Sequence, residues 1–442
     1  MKRTLTLLVV LTCILSLFTA PVRALYGNEP EVTAPAALLY ERTSNTILFE
    51  QNARGRMYPA STTKVLTALL CLENCELDEE VTVSSSALSA VPQGSSIAGL
   101  RRDEIMTVYD MLVCLLVASG NDAANAIAEH VAGSIEAFVE MMNRRAEELG
   151  CTGTNFINPH GFHDDNHYST AYDLLLMTNA AMEYETFMEI CGSKQKTVGP
   201  TNESSKERVF NNTNYMLSST DTNAYLYEYC TGIKTGHTTP AGRCLIASAE
   251  KDGLQLVSVV LGAEVRYTDS GIRQIRSYMD TEDLFDWGFA NFSYKTVVKP
   301  TDPLAEIKVI LSDSKDYVVL TPEREVRLLL HKNEDLSAFK KEVTADAEVE
   351  APIEAGQVLG TVTITFKDKI IDTMDLVAAD DVGRSEALYV LKEIGDAVSQ
   401  PWVGSAMLLT VLLVVLYIAY MVVHNRRRQR KLARRRKNAV RR

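Results

Sequence analysis

The 442-residue chain lacks any regular cysteine framework, and with it one class of architecture. Its eight cysteines fall at no fixed spacing. Cys13 lies in an N-terminal apolar run, which leaves Cys71, Cys75, Cys114, Cys151, Cys191, Cys230 and Cys244. This odd set sits mostly among apolar neighbours, where a thiol packs as a small hydrophobe, so a disulfide-stapled scaffold is excluded. Cys71 and Cys75 could share one helix face, but no second ligand pair at zinc spacing accompanies them; no metal and no other cofactor is expected. A cationic surplus is missing too. The formal net charge is −12 even though eleven Lys and Arg residues crowd the stretch from Arg426 to Arg442, so the body is more acidic than the total. Such a body repels polyanions at long range, so no nucleic-acid partner is expected and an anionic group would have to be gripped by a local cationic site.

Long apolar runs are absent except at the two ends. Lys2 and Arg3 precede an apolar run over 5–18, followed by Val22-Arg23-Ala24, whose small residues suit signal-peptidase cleavage. A signal peptide over 1–24 is expected. Near the other end, 402–423 is almost wholly apolar and, at 1.5 Å per helical residue, reaches roughly 33 Å, enough to span a bilayer. The cations that follow mark the cytoplasmic side. The expected topology is a single pass through the plasma membrane, with a basic tail at 424–442 inside and the body outside.

Within the body, chemistry concentrates around Ser61-Thr62-Thr63-Lys64, which opens a strongly apolar helical run after Pro59. Residues three apart share a helix face, so the Ser61 hydroxyl and the Lys64 amine can meet. A hydroxyl is a poor nucleophile until a neighbour takes its proton, and a desolvated lysine can do so because burial disfavours its charged form. Serine three before lysine recurs at Ser193/Lys196, Ser248/Lys251, Ser312/Lys315 and Ser337/Lys340. Only the Ser61 pair opens an apolar helix and precedes Ser119-Gly120-Asn121 and Lys234-Thr235-Gly236 in order.

Elsewhere, 36–40 and 46–49 read as strands around Thr43-Ser44-Asn45. Helices are expected over 110–118 and 122–131, with Ser119-Gly120-Asn121 as the turn that could present a residue inward. The stretch 158–167 holds three histidines and two aspartates among turn formers and reads as a solvated loop. Segment 193–229 reads as loops around short elements. Strands are expected at 244–249 and 254–261, with the Lys234 motif on a third, then a helix over 271–289. The short runs 307–311, 317–320, 326–330 and 358–366 suggest a small all-β domain, and 385–394 reads as helix. The fold class is α/β: one sheet flanked by helices, then an all-β domain and a transmembrane helix.

Ser61-x-x-Lys64, Ser119-Gly120-Asn121 and Lys234-Thr235-Gly236-His237-Thr238 together resemble the D-alanyl-D-alanine carboxypeptidases, the low-molecular-mass penicillin-binding proteins of serine peptidase family S11. The resemblance extends to Asn158-Pro159-His160-Gly161, His167-Tyr168-Ser169-Thr170-Ala171 and Asp286-Trp287-Gly288-Phe289. It implies a penicillin-binding/β-lactamase-like catalytic domain with a central antiparallel sheet at 25–292 and a β-sandwich at 293–384; many relatives end in an amphipathic membrane-surface helix, and this chain departs from them with a linker helix at 385–401 and the apolar span at 402–423. It implies acyl transfer: Ser61 as nucleophile, Lys64 as base, and Ser119 and Asn121 passing protons and holding the peptide. Lys234 and Thr235 would bind the terminal carboxylate, Gly236 would let substrate lie against the strand, and the backbone N–H groups of Ser61 and His237 would form the oxyanion hole. The implied partners are peptidoglycan pentapeptide stems and β-lactam antibiotics as covalent inhibitors. Relatives add a carboxylate-binding arginine before Trp-Gly-Phe, for which Arg273 and Arg276 both stand as candidates. The rivals are a β-lactamase and an idle wall-binding or antibiotic-sensing relative. No Glu-x-x-Leu-Asn stretch, the deacylating element of class A β-lactamases, lies between Ser119 and Lys234, and an idle site would be free to lose Lys64 or Lys234.

Overall fold

The computed structural model describes residues 29–218 and 224–439, so the expected leader at 1–24 lies outside the described residues. The chain divides into two units: residues through Lys295 with Leu328–Glu334, and Thr296–Arg327 with residues from Asp335 onward.

In the first unit a five-stranded antiparallel sheet runs in the order Thr46–Gln51, Ala36–Glu41, Leu254–Ala263, Gly242–Lys251, Cys230–Thr238. Successive side chains of a strand point to opposite faces, and here both faces are buried. Leu38, Tyr40, Ile246, Val257 and Val259 enter one core, while Leu39, Leu245, Ala247, Leu256 and Val260 enter the other. That is why these strands read as nearly unbroken apolar runs. Helices Lys64–Asn74, Val108–Leu116, Asn121–Ala132 and Ala171–Ala181 fill the first core. Helix Arg276–Asn291 closes the second through Leu284, Phe285, Trp287 and Phe289. Helix starts follow the local chemistry: Thr107 and Thr170 each accept the backbone N–H three residues on, satisfying a donor the helix leaves unpaired.

Two expectations need correction. The helix placed at 271–289 begins at Arg276, because Arg273–Ile275 is taken up by an antiparallel ladder with Val265–Tyr267. The α-helix behind Ser61 begins only at Lys64, since Ala60–Thr63 forms a tighter 3₁₀ turn. The segment around 193–229 contains a short hairpin of Gln195–Val198 with Arg208–Asn211.

The second unit carries a six-stranded sheet in the order Phe339–Ala345, Val358–Phe366, Lys369–Ala378, Tyr317–Pro322, Ala305–Ile310, Glu348–Glu350. Phe339–Ala345 escapes a search for apolar runs because Lys340, Glu342 and Thr344 line an exposed face, and Lys369–Ala378 because Asp372, Thr373 and Asp375 interrupt its apolar residues. Helix Glu386–Ser399 is capped by Ser385, whose hydroxyl accepts from Leu388 N–H. A separate helix follows at Pro401–Ala439 and continues through the basic stretch. Its Pro401–Arg434 part is long and apolar enough to cross a membrane, and its side chains are unburied.

One buried polar knot secures the chain's entry into the sheet of the first unit. The Asp280 carboxylate accepts from Ala34 N–H at 2.8 Å and Thr33 N–H at 3.1 Å, and pairs with Arg276 Nη2 at 2.9 Å. Removing one partner of such a pair leaves an uncompensated charge and orphaned donors. Asp280→Ala should therefore lower the stability of the first unit by about 3–5 kcal/mol, read as a fall in the urea midpoint followed through Trp287 fluorescence. An unchanged midpoint would mean that Arg276 and the two amides find other partners.

Candidate active site

Ser61 sits on the 3₁₀ turn, entered through Ala60 at φ 49°, a left-handed conformation that side chains rarely adopt. Such a residue costs of order 1–3 kcal/mol and persists only where its surroundings impose it. Two glycines impose it here. A Cβ on Gly161, itself at φ +81°, would stand 1.8 Å from the Ala60 carbonyl oxygen; one on Gly236 would stand 2.9 Å from the Pro59 oxygen and 3.1 Å from the Ser61 nitrogen. Only backbone without a side chain fits on these two sides of the turn.

Lys64 is fully buried at the head of its helix. Its Nζ lies 3.1 Å from Ser61 Oγ, 2.7 Å from Asn121 Oδ1 and 2.9 Å from the His160 carbonyl oxygen. Burial drives its pKa well below the ordinary lysine value, the nearby Lys234 adds to the effect, and Asp122 opposes it. A neutral amine has two hydrogens and one lone pair. Asn121 Oδ1 and the His160 carbonyl can only accept, so they take the hydrogens, and the lone pair is left for the Ser61 O–H. The geometry is that of a base already aimed at its hydroxyl.

Ser119, at φ 59°, turns the chain between helices Val108–Leu116 and Asn121–Ala132. Its Oγ accepts from Lys234 Nζ at 3.0 Å. Lys234 is 1 % exposed, and burial pulls its pKa down to about 8 against a small opposing effect of Cys191. Asp122, absent from the sequence reading, accepts from the N–H groups of Ala98, Gly99 and Leu100 at 2.8, 2.9 and 3.0 Å and ties that loop to the turn. A carboxylate in the first turn of an apolar helix was its only signal.

The strand Cys230–Thr238 presents the remaining residues. Thr235 Oγ1 is held 2.7 Å from Thr213 Oγ1, Gly236 lies against the Ser61 turn, and exposed His237 stands opposite Arg243 in the hairpin register. Partial desolvation of its ring lowers the His237 pKa even so, with Arg243 and Arg273 adding to it. Arg273 is thus close to the end of this strand, whereas Arg276 is committed to Asp280 and to Thr33 Oγ1. Arg243 was not singled out from the sequence, because only the hairpin brings it beside His237. A cavity of about 640 Å³ opens here, lined among others by Arg56, Tyr58, Tyr168, His237 and Arg243.

In the loop 158–167, His160 and His167 are buried rather than solvated. His167 Nδ1 accepts from Ile157 N–H at 3.1 Å while Nε2 meets Thr63 Oγ1 at 2.9 Å, and burial lowers its pKa to about 4. His160 Nδ1 accepts from Phe162 N–H at 3.1 Å. These rings hold the loop in place, and what the loop delivers to the site is a backbone carbonyl. Two of the other Ser–Lys pairs bind elsewhere: Lys196 Nζ to Glu189 and Tyr109, Lys315 Nζ to Asp380.

Comparison with known proteins gives the family of the chain. Residues 24–265 match the D-alanyl-D-alanine carboxypeptidase family of peptidases S11, and residues 292–384 match the C-terminal domain of penicillin-binding protein 5. The chain is 32% identical to the D-alanyl-D-alanine carboxypeptidase DacF of Bacillus subtilis, over 82% of this chain and 90% of that one. It is 32% identical to DacC of Escherichia coli, over 80% and 86% respectively. Among solved structures, penicillin-binding protein 5 of Haemophilus influenzae superposes with a TM-score of 0.57 at 31% identity, covering 81% of this chain and all 100% of that one. The chain belongs to the D-alanyl-D-alanine carboxypeptidases of peptidase family S11.

Proposed function

We propose that this serine-type D-alanyl-D-alanine carboxypeptidase works through an acyl-enzyme on Ser61, on the terminal peptide bond of peptidoglycan pentapeptide stems. The observation that carries the assignment is the buried Lys64 amine, 3.1 Å from Ser61 Oγ and within hydrogen-bond distance of two further acceptors, Asn121 Oδ1 and the His160 carbonyl. Ser61 Oγ attacks the carbonyl between the two terminal D-alanines as its proton passes to Lys64. The oxyanion is received by the backbone N–H groups of Ser61 and His237, the C–N bond breaks, and the departing amine takes the proton back. Asn121 orients Lys64 and the peptide, and Ser119, bridged to Lys234, completes the proton path. Water then cleaves the ester by the reverse sequence. Lys234 and Thr235 bind the terminal carboxylate, and of the two arginine candidates Arg273 fits, since Arg276 is occupied by Asp280. The carboxypeptidase reading stands over the β-lactamase one. β-Lactams acylate the same hydroxyl and stay as inhibitors. Purified protein should release D-alanine from a muramyl pentapeptide, and failure to do so would overturn the assignment.

Ser61→Ala should abolish covalent labelling by a fluorescent penicillin; label that survives would place the nucleophile elsewhere.

Lys234→Ala should slow substrates with a free terminal carboxylate more than their amidated analogues, because a buried ammonium pairs with that group. The same charge sets a pH limit. kcat/KM reports the free enzyme, so it should rise as Lys64 loses its proton, at a pH well below the ordinary lysine range, and fall above about 8 as Lys234 loses its own. Equal losses for the two substrate types, or a profile flat through that alkaline limb, would remove Lys234 from carboxylate binding.

The helix Pro401–Ala439 is assigned as a single-pass anchor with its basic end inside the cell and the catalytic unit outside. At roughly 2.3 kcal/mol per charge per 100 mV, an inside-negative potential opposes export of that end. A chain ending near Gln400 should be soluble and active, and the full chain should resist carbonate extraction. Release by carbonate, or trimming of the basic end by protease outside intact cells, would refute the topology.

A further inference from the structure

Two helices supply the heart of the site from their first residues. Lys64 opens Lys64–Asn74, Asn121 opens Asn121–Ala132, and the two side chains meet at 2.7 Å. Their far ends, about 16–18 Å away at 1.5 Å per residue, meet as well. Cys75 is the C-cap of the first helix and His130 lies in the last turn of the second, and between them stands Glu79 of the following loop. One ligand atom from each of Cys75, Glu79 and His130 lies within 4.8 Å of the other two. His130 Nε2 is 3.0 Å from Glu79 Oε1, and the second Glu79 oxygen receives Glu76 N–H at 3.4 Å, which orients the carboxylate. Cys71, one turn earlier on the same helix, is buried and stands outside this group. The partner pair that no fixed spacing could reveal is therefore supplied by a loop and by a helix far along the chain.

We propose that Cys75, Glu79 and His130 bind one zinc ion that fastens together the C-terminal ends of the two helices carrying Lys64 and Asn121. The donor set points to zinc: thiolate and imidazole favour a borderline-soft cation over magnesium or calcium, and one carboxylate is compatible with it. The spread of up to 4.8 Å must close by about 1 Å to reach metal–ligand bonds of about 2.0–2.3 Å, within reach of side-chain rotation for the half-exposed Glu79 and the partly exposed His130. The three ligands sit at the ends of the two helices opposite Lys64 and Asn121, away from the reacting groups, so the ion is structural, with a water completing its tetrahedron. An ordinary surface His–Glu pair would contribute little and would have no use for an adjacent thiol. Fastened at both ends, the helices would hold the Lys64–Asn121 contact in register.

The test uses the full chain in detergent, reduced with a phosphine and stripped of metal, then titrated with zinc or with cobalt as a spectroscopic substitute. One equivalent should bind per chain, cobalt should show thiolate-to-metal charge-transfer absorption, and zinc should raise the melting temperature. Cys75→Ser should lose the charge-transfer band, and His130→Ala and Glu79→Gln should each weaken zinc at least about tenfold. These positions are not fully buried, and retained penicillin labelling of Ser61 checks that the variants fold. Absence of the band in the reduced full chain, or zinc affinity unchanged in both His130→Ala and Glu79→Gln, overturns the proposal. So does a Cys71–Cys75 disulfide that survives the phosphine.

Discussion

Keeping the Lys64 amine dry and still hydrogen-bonded is the constraint on which the rest of the catalytic unit depends. A lysine removed from water loses its proton readily, but a buried amine without acceptors would carry a desolvation cost with nothing to offset it. The chain meets both demands by bringing three remote segments to one atom: the turn at Ser61, the turn at Asn121 and the loop whose His160 carbonyl faces Nζ. None of the three is near another in sequence, so the site exists only once the sheet and both helix layers have formed.

The second buried lysine extends the same logic. Lys234 stands on the strand beside the Ser61 turn and reaches Ser119, so the two buried amines lie in one dry region and Lys234 raises the cost of charging Lys64. Their environments are unequal. Lys64 feels the positive neighbour and is driven well down, while Lys234 is lowered only to about 8 and stays charged near neutrality. Placement alone thus separates two residues of one type, which is the separation that the proposed base and anion-binding roles need.

Glycine sets the tolerance of the arrangement. Gly161 and Gly236 approach the Ala60–Ser61 turn closely enough that a methyl group on either would collide with its backbone or crowd it. The left-handed Ala60 is enclosed by those contacts, and the Ser61 hydroxyl on the same turn lies 3.1 Å from the Lys64 amine. The same packing explains why the segment is a 3₁₀ turn where helical spacing alone suggests a continuous α-helix.

Much of the protein is written in local pattern. Apolar runs in the strands and helices of the first unit, the change to short strands beyond it, and the apolar stretch near the C-terminal end all follow from burial, which repeats every second residue in a strand and every three to four in a helix. The Ser61, Ser119 and Lys234 motifs are legible because each is a short contiguous string. Tertiary structure decided what contiguity does not encode. The role of Asp122 in tying down 98–100, the division of Arg273 from Arg276, and the pairing of Arg243 with His237 depend on which distant segments pack together. The strand Phe339–Ala345 was hidden because Lys340, Glu342 and Thr344 line an exposed face, and Lys369–Ala378 because Asp372, Thr373 and Asp375 interrupt its apolar residues. Cys75, Glu79 and His130 converge for the first reason in its purest form: ligands on two helices and a loop have no spacing to recognise until the helices lie side by side.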